Sequence, residues 1–180
     1  MSEAETEYRP LPAKEIKYGM LDGFRRHQIV TKCLCRENGK LIIKDVPFVD
    51  DWSRGERESI TKRLKDTAES GGFVYAAFRG GALIGFASID PCPFGCFGEY
   101  AELTNIHVAE GERGRGIGRS LFTAAAEWAR ERGKGKLYIS AHSSVESQAF
   151  YRSLGCKEAE IYSTRHIEAE PFDIQMEYRL

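Results

Sequence analysis

Apolar positions along the chain change their period several times, and the changes divide it into strands and helices. After a polar start and Pro10 and Pro12, the spacing predicts a short helix over Ala13 to Phe24, weakened by Gly19 and Gly23. Ile29 to Cys35 and Lys40 to Asp45 favour strand, and Asn38-Gly39 between them is a hairpin signal. Ser53 followed by Glu56 reads as a capping box. It opens a helix whose apolar stripe is Ile60, Leu64 and Ala68 and which ends at Gly71-Gly72. Phe73 to Phe78 and Ala82 to Ile89 flank Arg79-Gly80-Gly81 and form a second hairpin, so poor in charge that its strands are expected at the centre of a sheet.

Pro91 to Gly98 reads as a loop, and strand resumes over Tyr100 to Val108. Ile106 and Val108 share a face there, but Leu103 is out of phase with them. One extra residue near Thr104 restores the phase, and such bulges re-aim strands beside active sites. From Gly118 the period becomes helical, with Leu121, Ala124, Ala125, Trp128 and Ala129 on one face and Gly133 and Gly135 at the end. Leu137, Ile139 and Ala141 then alternate with polar neighbours as a strand with one buried face. A strand, a helix and a strand in that order predict a right-handed crossover between parallel strands. A helix over Val145 to Leu154 stops at Gly155, and Lys157 to Tyr162 and Asp173 to Tyr178 are expected to pair as the antiparallel end of a mixed sheet.

Composition narrows the class. A chain of 180 residues suits one domain, and 26 Lys and Arg against 27 Asp and Glu leave a net charge of −1. No global field favours nucleic acid or an anionic membrane, so neither is expected as a partner. The chain holds no run of 18 apolar residues, and an acidic Met1 to Glu7 is unlike a secretory signal. Five cysteines, an odd number in a chain too large to need a disulfide scaffold, suit a reducing cytoplasm, which is the expected location. Cys33-x-Cys35 and the Cys92 to Cys96 pair lack clear partners, so no metal site is expected, and no nucleophile elbow surrounds any cysteine.

The strongest chemical signal is Arg113-Gly114-Arg115-Gly116-Ile117-Gly118, between the strand ending at Val108 and the following helix. Helix N-termini present unpaired N–H groups and a positive dipole end, and glycines let several of those groups converge on phosphate oxygens. Arg113, Arg115 and Arg119 add mobile positive charge. The glycines are evenly spaced, unlike the Rossmann fingerprint, and the Gly-Lys-Ser/Thr of a P-loop is missing.

Arg113-x-x-Gly116-x-Gly118 resembles the acetyl-coenzyme A motif of the GNAT superfamily of N-acetyltransferases: Gln or Arg, two residues, Gly, one residue, Gly or Ala. Glu102 to Val108 resembles that superfamily's fourth strand, and Ser144 to Cys156, with Tyr151 and Gly155 in register, resembles its later helix. Ser144, Ser147 and Cys156 depart from the usual pattern there. The resemblance runs from Phe73 to the C-terminus and is weak over 1–72, the acceptor-side part of a single domain spanning 1–180.

The resemblance implies an acyl-CoA N-acyltransferase-like α/β fold, a mixed, V-shaped, mostly antiparallel sheet flanked by helices. The sheet splays after the bulged strand and admits the pantetheine arm of acetyl-CoA. It places the pyrophosphate on the amides of Arg115 to Arg119 and extends cofactor contacts from Arg113 and Gly114 to Ile106, His107 and Val108 and to Ser144 and Ser147. Tyr151 becomes the general acid for the leaving thiolate, and Glu102, within the strand where the splay opens, the base for the amine, ahead of Glu99 at its mouth.

His107 reads either as a group facing the opening or as an ordinary sheet histidine, and His142 is a site candidate because it ends the parallel strand. His27 and His166 have no spacing that favours a role. Acids with Phe48 and Trp52 in Asp45 to Trp52, and Arg165, His166, Glu168 and Glu170 in Tyr162 to Pro171, flank the acceptor side. The expected activity is acetyl transfer to a primary amine of a small molecule, in a ternary complex. A protein or peptide amine, or a non-catalytic coenzyme A sensor, is the alternative, and a homodimer is compatible with either.

Overall fold

The structure is a computed structural model that describes residues 5–91 and 98–180. The expected Pro91 to Gly98 loop and Cys92 and Cys96 therefore lie, but for Pro91 and Gly98, outside the described residues. The elements in chain order are β1 (Thr6–Pro10), β2 (Gln28–Glu37), β3 (Lys40–Asp50), α1 (Arg54–Glu69), β4 (Phe73–Arg79), β5 (Ala82–Ile89), β6 (Tyr100–Val108), α2 (Ile117–Glu131), β7 (Lys136–Ala141), α3 (Val145–Ser153), β8 (Lys157–Glu158), α4 (Thr164–Ala169) and β9 (Ile174–Arg179).

Seven strands form one sheet in the order β1-β4-β5-β6-β7-β9-β8, and β2 and β3 form a separate hairpin. Within the large sheet β6 and β7 run parallel and the other neighbours antiparallel, as expected of a mixed, mostly antiparallel α/β fold. The expected bulge is present: Ser88 pairs with Asn105 and Ile89 with Leu103, so Thr104 is the residue passed over.

Helix α2 covers one face of the sheet. Its Leu121, Ala125 and Ala129 are fully buried, in one cluster with Leu137, Ile139, Ala141 and Ile174. The alternating strand and the 3.6-residue stripe thus meet face to face, each buried leucine contributing about 1.5–3 kcal/mol. Helix α1 covers the opposite face with Ile60 and Leu64 against Phe24, Val74 and Phe86. Its capping box is formed: the Glu56 N–H donates to Ser53 Oγ at 3.3 Å and the Ser53 N–H to Glu56 Oε2 at 2.8 Å.

Four expectations need correction. The helix over Ala13 to Phe24 shrinks to one 3₁₀ turn, Ala13–Glu15, followed by turns, because Gly19 sits in the left-handed region at φ +79°. Leu21 and Phe24 nevertheless reach the core. The polar start is a strand, β1, paired along the edge of β4, where one face remains in water. The first hairpin extends to Asp50 rather than Asp45. Of Lys157 to Tyr162 only Lys157 and Glu158 pair with β9, and the following segment supplies α4.

Candidate active site

Strands β6 and β7 pair over three residues each, Tyr100 to Glu102 with Lys136 to Tyr138. Beyond them Leu103 to Val108 pair with β5 and Ile139 to Ala141 with β9. The sheet therefore splits after Glu102 and Tyr138, and Glu102 stands at the apex of the V.

On the α2 side of the split lies a cleft of about 640 Å³, lined by Ile106, Val108, Arg113, Gly114, Gly116, Ile117, Gly118, Arg119, Ser147, Phe150 and Tyr151 among others. Gly114 and Gly116 are left-handed, at φ +78° and +82°, a conformation that costs any other residue energy. Gly116 is the N-cap of α2 and no side chain caps the helix. Ser120 donates the first helical bond, to Gly116 O at 3.1 Å, so the amides of Ile117, Gly118 and Arg119 precede the helical ladder. Donors and a dipole end turned toward a cleft suit a pyrophosphate. A Cβ on Gly118 would come within 3.1 Å of the Phe150 ring, so that glycine lets α2 and α3 close together behind the cleft.

The arginines are less mobile than their sequence suggests. Arg113 donates to His27 O at 2.8 Å and to Val108 O at 3.2 Å, fastening the loop to both walls. Arg115 pairs with Glu112 at 3.7 Å and does not line the cleft, whereas Arg119 lines it and reaches Ser153 O at 3.5 Å. Ser144 is also outside the cleft. Fully buried, it caps α3 by accepting from the Ser147 N–H at 3.3 Å, and only Ser147 reaches the opening.

The His107 side chain lies on the other face of the sheet, because the bulge returns Ile106 and Val108 to the α2 face. It packs edge-on to Trp52 at 4.7 Å and against Phe86 at 5.4 Å. Burial, then Arg26, holds its pKa far below the usual histidine value, so the ring is neutral and fills space. His142 accepts from the Ser144 N–H through Nδ1 at 3.1 Å and lies beside Phe48 of the hairpin at 5.7 Å, its pKa lowered by burial.

Tyr151 is 8% exposed, with its ring in the core and its edge on the cleft. Burial first, then Cys156 and Asp173, raises its phenol above the ordinary tyrosine value, so it keeps its O–H proton at physiological pH.

On the opposite side of the split, Glu102 is buried beneath α4. His166 Nε2 stands 3.0 Å from its Oε1, and the exposed Arg165 reaches the same oxygen at 3.9 Å. Asp173 accepts from Ser140 Oγ at 3.2 Å, and burial, reinforced by Glu170, raises its pKa to about 7. The sequence places His166 in a segment flanking the acceptor side but gives it no role, and Asp173 is passed over there. Nothing in the spacing ties a histidine in an irregular insertion to a strand 64 residues earlier, and Asp173 carries only the weak signal of an acid opening a buried strand. Glu99, the second carboxylate considered, accepts Gly135 and Lys136 amides on its carbonyl at the closed end of the V.

A glycine-rich turn at a helix N-terminus, a cleft running to a split between parallel strands, and a tyrosine and a carboxylate on the two sides of that split are the arrangement expected of an acyl-CoA-dependent transferase fold. Residues 17–156 match the model of the Acetyltransferase (GNAT) family, and the chain belongs to that family. It is 38% identical over 92 residues to a streptothricin acetyltransferase of Streptomyces lavendulae, a match covering 50% of this chain and 46% of that protein. The match thus spans less than half the length of that relative. Among solved structures, a nourseothricin acetyltransferase superposes with a TM-score of 0.73 at 18% identity, covering 97% of this chain and 98% of the other. A Bacillus anthracis str. Ames protein assigned as a streptothricin acetyltransferase, in complex with acetyl-coenzyme A, gives 0.67 at 17% identity over 99% of this chain and 98% of that one. These two likenesses are of fold.

Proposed function

We propose that the protein acetylates a primary amine of a small cationic molecule of the streptothricin kind, with acetyl-CoA as donor, by direct attack in a ternary complex. The observation that carries this reading is the position of Glu102 at the apex of the split, across the sheet from the cleft lined by Tyr151. The ammonium reaches Glu102 from the acceptor side and loses a proton to its carboxylate. The free amine then attacks the thioester carbonyl, the C–S bond breaks, and the Tyr151 O–H supplies the proton that converts the thiolate to the thiol. The amine nitrogen, once acylated, gives up its second proton to solvent.

Two features favour a small cationic acceptor. Glu102 and Glu170 supply carboxylates on that side, and Asp173, raised to about 7, can accept a hydrogen bond or a proton from an ammonium there. The hairpin and α4 also narrow the approach: Leu34 of β2 donates to Ser143 O at 2.8 Å, which seats the hairpin over the end of β7. The resemblance to the streptothricin enzyme supplies the chemical class.

The test is a thiol-release screen with acetyl-CoA across streptothricin, aminoglycosides, polyamines, amino acids and short peptides. Streptothricin or another small polyamine is expected to give the highest kcat/KM. A preference for peptide amines, or coenzyme A binding with no turnover on any amine, overturns the reading.

A further inference from the structure

We propose that His166 is the positioning partner of Glu102, holding one carboxylate oxygen so that the other faces the incoming amine. The proposal rests on the reading of Glu102 as the base and adds to it a residue on which sequence spacing is silent.

Three observations converge on it. The first is distance: His166 Nε2 lies 3.0 Å from Glu102 Oε1, and both side chains are nearly buried, at 11% and 8% exposure. Arg165 approaches the same Oε1 but is largely exposed, where an ion pair contributes little. With the imidazole and the guanidinium both on Oε1, Oε2 is the atom offered to the substrate.

The second observation is the ring's support. His166 stacks on Tyr138 with centroids 5.7 Å apart and planes 28° apart. Tyr138 is itself fully buried and is the register partner of Glu102 at the split, so the imidazole rests on a fixed platform.

The third is the device that fixes α4. The Ser163 N–H donates to Tyr138 Oη at 3.0 Å and to Gln175 Oε1 at 2.6 Å, while Gln175 Nε2 donates back to Ser163 O at 3.1 Å. The Tyr138 hydroxyl closes the clasp by donating to Gln175 Oε1. Gln175 is 1% exposed. Buried polar groups cost free energy unless fully satisfied, and a satisfied network fixes geometry. This one binds the N-cap residue of a six-residue helix to β7 and β9, three residues before the histidine. A helix that short has little stability of its own. The clasp therefore sets where His166 stands over Glu102.

A carboxylate oxygen accepts, so the proposed ring proton sits on Nε2, the nitrogen that stands at ion-pair distance from Glu102 Oε1. Such contacts tighten when substrates fill a site. No proton need pass through the imidazole: the amine's proton goes to Oε2, and the Nε2–H to Oε1 interaction keeps that oxygen from rotating into its place. The other charged or titratable groups bearing on the pair are Tyr138 on β7, Arg165 on α4, and Glu170 and Asp173 ahead of β9.

Two measurements test this on the full chain. The first needs no acceptor: nitrogen chemical shifts of the His166 ring in ¹⁵N-labelled protein should place the proton of the neutral ring on Nε2, and a ring protonated on Nδ1 with a bare Nε2 overturns the proposal. The second uses acetyl-CoA with the amine best used in the screen above. His166→Ala should lower kcat about 10- to 100-fold, the usual effect of removing a ligand's outer partner, with the KM for acetyl-CoA unchanged. His166→Gln, which keeps an N–H donor, should recover most of that loss. In a Glu102→Gln background His166→Ala should cost nothing more, because the two residues act as a unit. Full additivity, or a Gln variant as impaired as the Ala variant, sinks the idea. Absence of turnover on every amine would instead count against the proposed function, and the ring tautomer would still decide the pairing.

Discussion

Replacing Gly116 with Ala separates the cost of backbone strain from the loss of a phosphate site. Gly116 holds φ +82° at the N-cap of α2, and a Cβ there meets nothing within 4 Å, so the substitution brings strain without a clash. A left-handed alanine costs about 1–2 kcal/mol. For a chain of this size that lowers Tm by about 2–8 °C, at about 2–4 °C per kcal/mol. The strain is relieved by rotating the peptide that carries the Ile117 N–H, the first amide of the helix. Loss of one hydrogen bond to a charged oxygen, at about 1.5–3 kcal/mol, raises the half-saturation concentration for acetyl-CoA about 10- to 100-fold. Gly80 provides the control: it is also left-handed, at φ +57°, with nothing within 4 Å, but lies in the β4–β5 turn. Gly80→Ala should show a similar fall in Tm and an unchanged KM. The assay is thiol release at varied acetyl-CoA, with calorimetry on both variants. If Gly116→Ala raises KM no more than Gly80→Ala does, the loop does not hold the pyrophosphate.

Two further substitutions test the chemistry and the frame. Tyr151→Phe removes the only polar atom of a buried ring, so kcat should fall about 10²- to 10⁴-fold with the KM for acetyl-CoA unchanged; ordinary turnover would leave the tyrosine a packing residue. Glu177, 1% exposed, accepts from Tyr100 Oη at 2.7 Å and pairs with Lys136 and Lys157, each at 3.3 Å. Burial opposes its ionisation, but the Tyr100 hydroxyl, the Glu160 amide and the two lysines outweigh it and hold its pKa below the usual carboxylate value. The unfolded chain therefore binds the proton more readily, and the contribution is full above about pH 4.3 and lost as pH falls through the lower folded value. Glu177→Ala should cost about 3–5 kcal/mol in urea unfolding at pH 7 and progressively less in acid; a loss that does not shrink with falling pH would contradict this account.

Where a pattern was local, the chain announced it. The Ser53 and Glu56 box, the Arg79-Gly80-Gly81 turn and the stripe of α2 each depend on residues within a few positions of one another, and each is formed. The Thr104 bulge was also legible, since a single phase slip between Leu103 and Ile106 has few other causes. The acceptor side was not. Its parts are Glu102 on β6, His166 on α4 and Asp173 ahead of β9, joined by the Tyr138–Ser163–Gln175 clasp, whose members lie 12 to 37 residues apart. No periodicity spans such a gap. β1 was hidden for a different reason: an edge strand with one wet face shows too few apolar residues to be told from a tail.

The bulge also decides which side chains of β6 reach the cleft. Strand residues alternate faces, so an unbulged β6 that keeps Ala101 and Leu103 against α2 would place Asn105 and His107 there as well and turn Ile106 and Val108 away. One extra residue inverts the second half of the strand: Ile106 and Val108 join the cleft, and His107 moves to the side of Trp52 and Phe86. The inversion is held by Ser88, fully buried on β5. Thr104 Oγ1 lies 2.8 Å from Ser88 Oγ and donates to Ser88 O at 3.1 Å, and Asn105 Nδ2 donates to Ser88 Oγ at 2.8 Å. Glu102 precedes this point and keeps its place on the face of α4, while Ile106 follows it and lines the cleft. A phase slip one residue long thus lets one strand present a carboxylate on one face and an apolar wall to the cleft on the other.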